Sequence, residues 1–279
     1  MAEQRPNRED DTPRPDLQDA ERAAAEGYEA LLVPALTSHW TEPLLDATRV
    51  TEGDRVLDVA CGTGIAARGA RRRVGETGSV VAVDPGAGML AVAARLEPAI
   101  DWRRGVAEDL PVDESAFDVV LCQLGLMFFN DRHQALRAMR RALRPGGRLG
   151  LVVWDSLAAN PAYATFVALL ERLAGTAAAD GVRAPFALGD VEALRALCVE
   201  AGLAETEITT RSGHASFPSL RAMLEADLRG WLPLLGIVLD DALIDRIIAE
   251  AKDEMASLVD TDGTLEFPSS AHLVTAARA

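Results

Sequence analysis

"RVLDVACGTGIAARGA", residues 55–70, is the stretch on which the fold turns. "RVLDVAC" (55–61) is rich in β-branched and apolar residues and reads as a strand. The chain then turns through Gly62-Thr63-Gly64 and continues as an alanine-rich helix. Glycine permits the tight turn and lets a ligand approach where a Cβ would clash. The spacing Gly62-x-Gly64-x-x-Ala67 is a degenerate dinucleotide fingerprint, and alone it is weak evidence. Asp58 is the unusual member, because an unpaired charge inside a strand is costly. A cationic ligand would satisfy it, and so would nearby backbone amides.

Outward from this stretch, strands and helices alternate. "SVVAVDP" (79–85), "IDWRRGVA" (100–107), "FDVVLCQLG" (117–125) and "GGRLGLVVWD" (146–155) read as strands, the last after an Arg-Pro-Gly-Gly turn. "GMLAVAARL" (88–96) and "RHQALRAMRRAL" (132–143) read as helices, the second capped by Asp131. Single helices between strands imply βαβ units and a parallel sheet covered on both faces. After Asp155, residues 160–174 and 190–202 read as helices and "AETEITTRSGHASF" (204–217) as a strand. Residues 219–231 and 240–259 form amphipathic helices before a closing strand at 265–278. Upstream, residues 1–15 are charged and proline-rich and read as a disordered tail. Residues 16–50 read as an N-terminal helical lid broken at Pro34 and Pro43. Residues 51–279 then form one α/β domain with a helical insertion at about 217–260.

The 279 residues carry a formal net charge of −15. Such a surface repels phosphates, which argues against nucleic acid and anionic membranes as partners. No apolar run approaches the ~20 residues of a membrane span. Cys61, Cys122 and Cys198 show no metal-ligand spacing and no disulfide framework, so they read as reduced thiols of a cytoplasmic protein without a bound metal.

Asp84 ends the second strand, 20 residues after Gly64, where a carboxylate accepts ribose hydroxyls. Its bland reading is a turn-starting Asp before Pro85-Gly86. A nicotinamide cofactor brings a pyrophosphate, which prefers no negative charge nearby. Asp58 and the acidic chain suit a cationic, phosphate-free ligand better, and S-adenosylmethionine is such a ligand.

At this point the sequence resembles the class I S-adenosylmethionine-dependent methyltransferases, in the branch similar to ubiquinone/menaquinone biosynthesis methyltransferases. "VLDVACGTG" (56–64), "VVAVDPGAGML" (80–90), "GVAEDLPVDESAFDVVLCQLGLMFF" (105–129) and "ALRAMRRALRPGGRLGLVVW" (135–154) carry the resemblance, in the family's order. It implies a Rossmann-like α/β fold: a seven-stranded, mostly parallel sheet with helices on both faces, an antiparallel last strand and a helical insertion before it. It further implies that Ala60, Cys61, Gly62, Thr63 and Gly64 wrap the methionine part of the cofactor, with Asp58 near its amino group. Asp84, beside Pro85, would bind the ribose. Met89 would pack on the adenine, and Ala107 and Glu108 would face its edge. Gln123 and Leu124 would border methionine and substrate, and Tyr28 and Trp40 would close the cofactor from the N-terminal side. Many relatives carry Asp or Asn where this chain has Val106, which cannot accept from the adenine amino group.

Methyl transfer needs alignment and water exclusion, and a general base helps a hydroxyl nucleophile. His39, ahead of Trp40, is the candidate base. His133 reads as a solvated first-turn residue and His272 as structural. Met127, Trp154, His214 and Trp231 are the candidate acceptor contacts, and Trp231 with 232–239 reads as a pocket roof or a homodimer surface. The expected function is methyl transfer to a small, partly apolar organic acceptor at oxygen, carbon or nitrogen. The alternatives are a nicotinamide-dependent oxidoreductase and a cofactor-binding protein that transfers no methyl.

Overall fold

The computed structural model describes residues 15–203 and 205–279, so the expected disordered tail lies outside the described residues except for Pro15. Seven strands form one sheet: β1 (Arg55–Val59), β2 (Ser79–Asp84), β3 (Asp101–Arg104), β4 (Phe117–Gln123), β5 (Leu143–Trp154), β6 (Glu207–Phe217) and β7 (Leu265–Ala277). Their order is β3-β2-β1-β4-β5-β7-β6, and β7 runs antiparallel to both neighbours. Val56, Leu57, Val59, Val119, Val120 and Leu121 are fully buried, as expected for central parallel strands covered on both faces.

Residues 15–47 remain helical throughout, as α1 (Pro15–Gly27), a π-helical stretch (Tyr28–Thr37) and α2 (Ser38–Ala47). The expected breaks at Pro34 and Pro43 therefore do not occur. The Ser38 N–H donates to the Val33 carbonyl, five residues back, and the helix continues past Pro34 in this wider turn. Close packing fixes these helices on the sheet and its flank. A Cβ on Gly150 would lie 2.3 Å from Thr48, so α2 rests directly on β5. One on Gly88 would lie 2.4 Å from the Glu21 carbonyl, so α1 rests on the helix that follows β2.

α3 (Ile65–Val74) follows β1, α4 (Ala87–Leu96) follows β2, and α5 (Arg132–Ala142) precedes β5. The Gln134 N–H donates to Asp131 at 2.9 Å, the expected cap. The Arg-Pro-Gly-Gly segment belongs to β5 rather than preceding it. The pairing jumps from Phe117↔Leu143 to Val119↔Arg148, leaving that segment as a bulge with Gly146 at φ 75.

Between β5 and β6 lie α6 (Pro161–Leu173), α7 (Thr176–Arg183) and α8 (Val191–Glu200); the sequence reading had no α7. Between β6 and β7 lie α9 (Leu220–Glu225), a second π-helical stretch (Ala226–Trp231), α10 (Leu232–Leu234) and α11 (Asp241–Glu254). The helix expected over 240–259 ends earlier, followed by a 3-10 turn (Ala256–Leu258). Phe217 at the end of β6 pairs with Leu265 at the start of β7, so the whole excursion begins and ends at one rung of the sheet. No helix among the described residues is long and apolar enough to cross a membrane.

Candidate active site

Two adjoining spaces open at the carboxyl ends of the central strands. One is a cleft of about 810 Å³ lined by the turn after β1, the ends of β2 and β4, segment 105–108 and Trp231. The other is a chamber of about 120 Å³ lined by residues of β5, α6, α7 and the second π-helical stretch. Tyr28, Thr37, Leu124, Phe128 and Trp231 line both.

Asp58 is 1% exposed at the base of the cleft. Its Oδ2 accepts from the Ala67 N–H at 2.9 Å, while Oδ1 has no partner. The backbone-amide reading of this residue holds: one oxygen ties down α3, and the other has no partner. Burial pushes the carboxyl up to about 7 against the Ala67 hydrogen bond. Asp84 accepts from the Gly62 N–H on Oδ2 and from the Gly86 N–H on Oδ1, each at 2.8 Å. Thus it starts the turn and also holds the glycine loop in place. Burial raises its carboxyl and those two bonds oppose the rise. Each oxygen keeps a lone pair for a ligand hydroxyl.

The backbone around this seat is left-handed at Ala60 (φ 56), Gly62 (φ 54) and Leu124 (φ 57). For Ala and Leu such a conformation costs about 1 kcal/mol or more, and strain of this kind gathers at binding sites. Tyr28 stands over the loop, since a Cβ on Gly62 would lie 3.9 Å from its ring. Burial and Asp84 push the Tyr28 hydroxyl up to about 12. Gln123 fastens the helices over the sheet: its Nε2 donates to the Thr37 carbonyl at 3.0 Å and its Oε1 accepts from Thr41 at 3.1 Å. An Arg68–Glu29 ion pair at 2.7 Å ties the first π-helical stretch to α3.

Of the expected cofactor residues, Tyr28, Asp58, Ala60, Cys61, Gly62, Asp84, Pro85, Met89, Ala107, Glu108, Gln123 and Leu124 line the cleft. Thr63 and Gly64 do not. Gly64 is dictated by packing, because a Cβ there would lie 2.3 Å from the Trp102 ring. Trp40 does not close the cleft either: it is 2% exposed in the core, edge-on to Trp154 at 6.1 Å. Glu108 is turned toward the next loop, where its Oε1 accepts from the Asn130 and Asp131 N–H groups.

His39 lines neither space. Its ring packs against Gly213 of β6 and against Trp40, which removes it from any reacting atom. Burial and the neighbouring His214 hold it below the usual histidine range. His214 is exposed and paired with Glu266 at 3.3 Å, so it is no acceptor contact. His272 is structural: its ring nitrogens meet Thr210 at 2.9 Å and the Gly189 carbonyl at 3.0 Å. Met127 lines the cleft, Trp154 the chamber and Trp231 both.

Tyr163, Phe186 and Asp227 of the chamber were missed by the sequence reading. The signal for Asp227 was its place on the apolar stripe of "MLEADLRGW" (223–231), between Leu224 and Leu228. Nothing in the sequence brought Tyr163 to it.

The unpartnered Asp58 oxygen, the open glycine loop and the Asp84 carboxylate fit a ligand with an ammonium group and a ribose, and S-adenosylmethionine has both. A methyltransferase-domain family model matches residues 57–151. The chain is 40% identical over 128 residues to the ubiquinone/menaquinone biosynthesis C-methyltransferase UbiE of Hahella chejuensis, covering 44% of this chain and 51% of that protein. To the UbiE protein of Pseudomonas aeruginosa strain UCBPP-PA14 it is 32% identical over 179 residues, covering 58% and 70%. The chain thus spans about half the length of several curated relatives it matches. Among solved structures, the YcgJ protein from Bacillus subtilis covers 86% of this chain with a TM-score of 0.56 at 18% identity, a likeness of fold. With these matches, the chain belongs to the class I S-adenosylmethionine-dependent methyltransferases, in their UbiE-like branch.

Proposed function

We propose that this chain transfers a methyl group from S-adenosylmethionine to a small, partly apolar organic acceptor. The observation that carries the reading is the unpartnered Asp58 oxygen in a cleft that shares five wall residues with an aromatic chamber. When bound, the cofactor supplies a sulfonium-activated methyl group. The residues of the chain do the rest. Asp58 faces the ammonium of the amino-acid head, and Ala60 to Gly62 leave room for that head. Asp84 accepts the ribose hydroxyls, and Met89 packs on the base. Residues 16–50 act as a lid through Tyr28, and the chamber walls exclude water and orient the acceptor. The insertion of 217–260 contributes the acceptor side. The relatives named for quinone biosynthesis support an apolar acceptor. Three buried free cysteines support a reducing, cytoplasmic setting.

Calorimetric titration tests this reading. S-adenosylhomocysteine is expected to bind, Gly62→Val to abolish that binding in a folded chain, and NADH not to bind. Binding of NADH in place of S-adenosylhomocysteine would overturn the assignment.

A further inference from the structure

Asp227 is the unexplained group of the chamber. It is 7% exposed, on the second π-helical stretch, in a space walled by Tyr28, Phe128, Trp154, Tyr163, Phe186 and Trp231. Its one side-chain hydrogen bond among the described residues comes from the Tyr163 hydroxyl, which donates to Oδ2 across a long 3.5 Å. Among the described residues no cation pairs with it. The arginines nearest in sequence, Arg221 and Arg229, are engaged by Glu225, Asp245 and Asp241. Ser269 also lines the chamber with a buried hydroxyl that has no partner. Of the other polar wall residues, Asn160 is fully engaged with the Asp155, Ser156 and Ser270 backbone, and the Thr37 hydroxyl donates to the Val33 carbonyl.

A buried carboxylate without a counter-ion is costly, and here burial pushes the carboxyl up to about 7. An incoming cation removes that cost. Aromatic faces add attraction for a cation and none for an anion. The net charge of −15 draws cations toward the molecule.

We propose that the methyl acceptor is an organic amine that enters the chamber as a cation, with its nitrogen held by Asp227 within the aromatic walls. This rests on the methyl-transfer reading above and names the acceptor class of that site. Asp227 also takes one proton from the nitrogen: an ammonium N–H bond breaks, a carboxyl O–H bond forms, and nitrogen regains the lone pair a methyl acceptor needs. Tyr163 positions the carboxylate, and the Ser269 hydroxyl accepts a second N–H.

The probes are 2-phenylethylamine and 2-phenylethanol, near-isosteres of which only the amine is charged. They are titrated at pH 8 into the protein, with and without S-adenosylhomocysteine. The amine is expected to bind at least about tenfold more tightly, and Asp227→Asn to reduce that ratio to about one. Tyr163→Phe is expected to keep the preference while weakening amine binding. Equal affinities in the wild type, tighter binding of the alcohol, or no amine binding overturn the proposal even if the variant does not fold. So does a preference that survives Asp227→Asn. If S-adenosylhomocysteine fails to bind while the amine preference stands, the cofactor reading falls and the amine site does not.

Discussion

At the scale of single residues, the site is built from carboxylates held where water cannot serve them. Burial pushes Asp58 up to about 7, above the roughly 4 of an unfolded aspartate. The folded chain therefore keeps a proton between about pH 4 and 7 that the unfolded chain releases. The contribution of Asp58 to stability falls as pH rises through that window and stays low above it. Asp58→Asn is thus expected to stabilise the ligand-free protein by about 1–3 kcal/mol at pH 8 and by almost nothing near pH 4. Urea unfolding at the two pH values measures this, and a difference independent of pH would refute it. Asp84→Ala is expected to weaken S-adenosylhomocysteine binding by about 1–3 kcal/mol, through the lost ribose bonds and the freed Gly62 and Gly86 amides. Unchanged affinity in calorimetry would remove the ribose assignment.

At the scale of elements, what the sequence revealed depended on how local the cause was. The strand carrying Asp58 and the Asp131 cap follow from neighbours in sequence, and both were legible. Pro34 was misread because a proline normally ends a helix, and only the packing of Tyr28–Thr37 on the molecule selects the wider turn instead. His39 was misread because its position beside Trp40 says nothing of Gly213, the residue it packs against. Gln123 shows a contact of the same long-range kind, joining β4 to residues 37 and 41. Gln123→Leu removes the bonds to the Thr37 carbonyl and the Thr41 hydroxyl, at about 1–3 kcal/mol. Amide hydrogen exchange is expected to quicken over 28–47 and to stay at wild-type rates in β4. Unaltered exchange over 28–47 would mean that other contacts hold those helices.

At the scale of the whole molecule, the walls of the cleft were readable and those of the chamber were not. Asp58, Gly62 and Asp84 lie within 27 residues of one another, in a pattern set by the turns between successive strands. Asp227 and Tyr163 are 64 residues apart and meet only because two helical excursions fold over one sheet edge. Both excursions face the cleft, through Ala184 on one side and Trp231 and Leu235 on the other. S-adenosylhomocysteine at a hundredfold excess over its Kd is therefore expected to stabilise the fold by about 2.7 kcal/mol. A scanning melt is expected to show this as one shifted transition; a separate early transition unmoved by ligand would show that the excursions melt independently.

The rung that joins Phe217 to Leu265 has a consequence for engineering. Residues 218–264 leave and re-enter the sheet at a single pair, so their length has little effect on the cost of closing the loop. They carry Asp227 of the chamber, and Trp231 and Leu235 of the cleft's outer wall, but neither the glycine turn nor Asp58 nor Asp84. The segment is therefore a cassette: grafting one from another scaffold onto that rung should reshape the chamber while keeping the glycine turn, Asp58 and Asp84 in place.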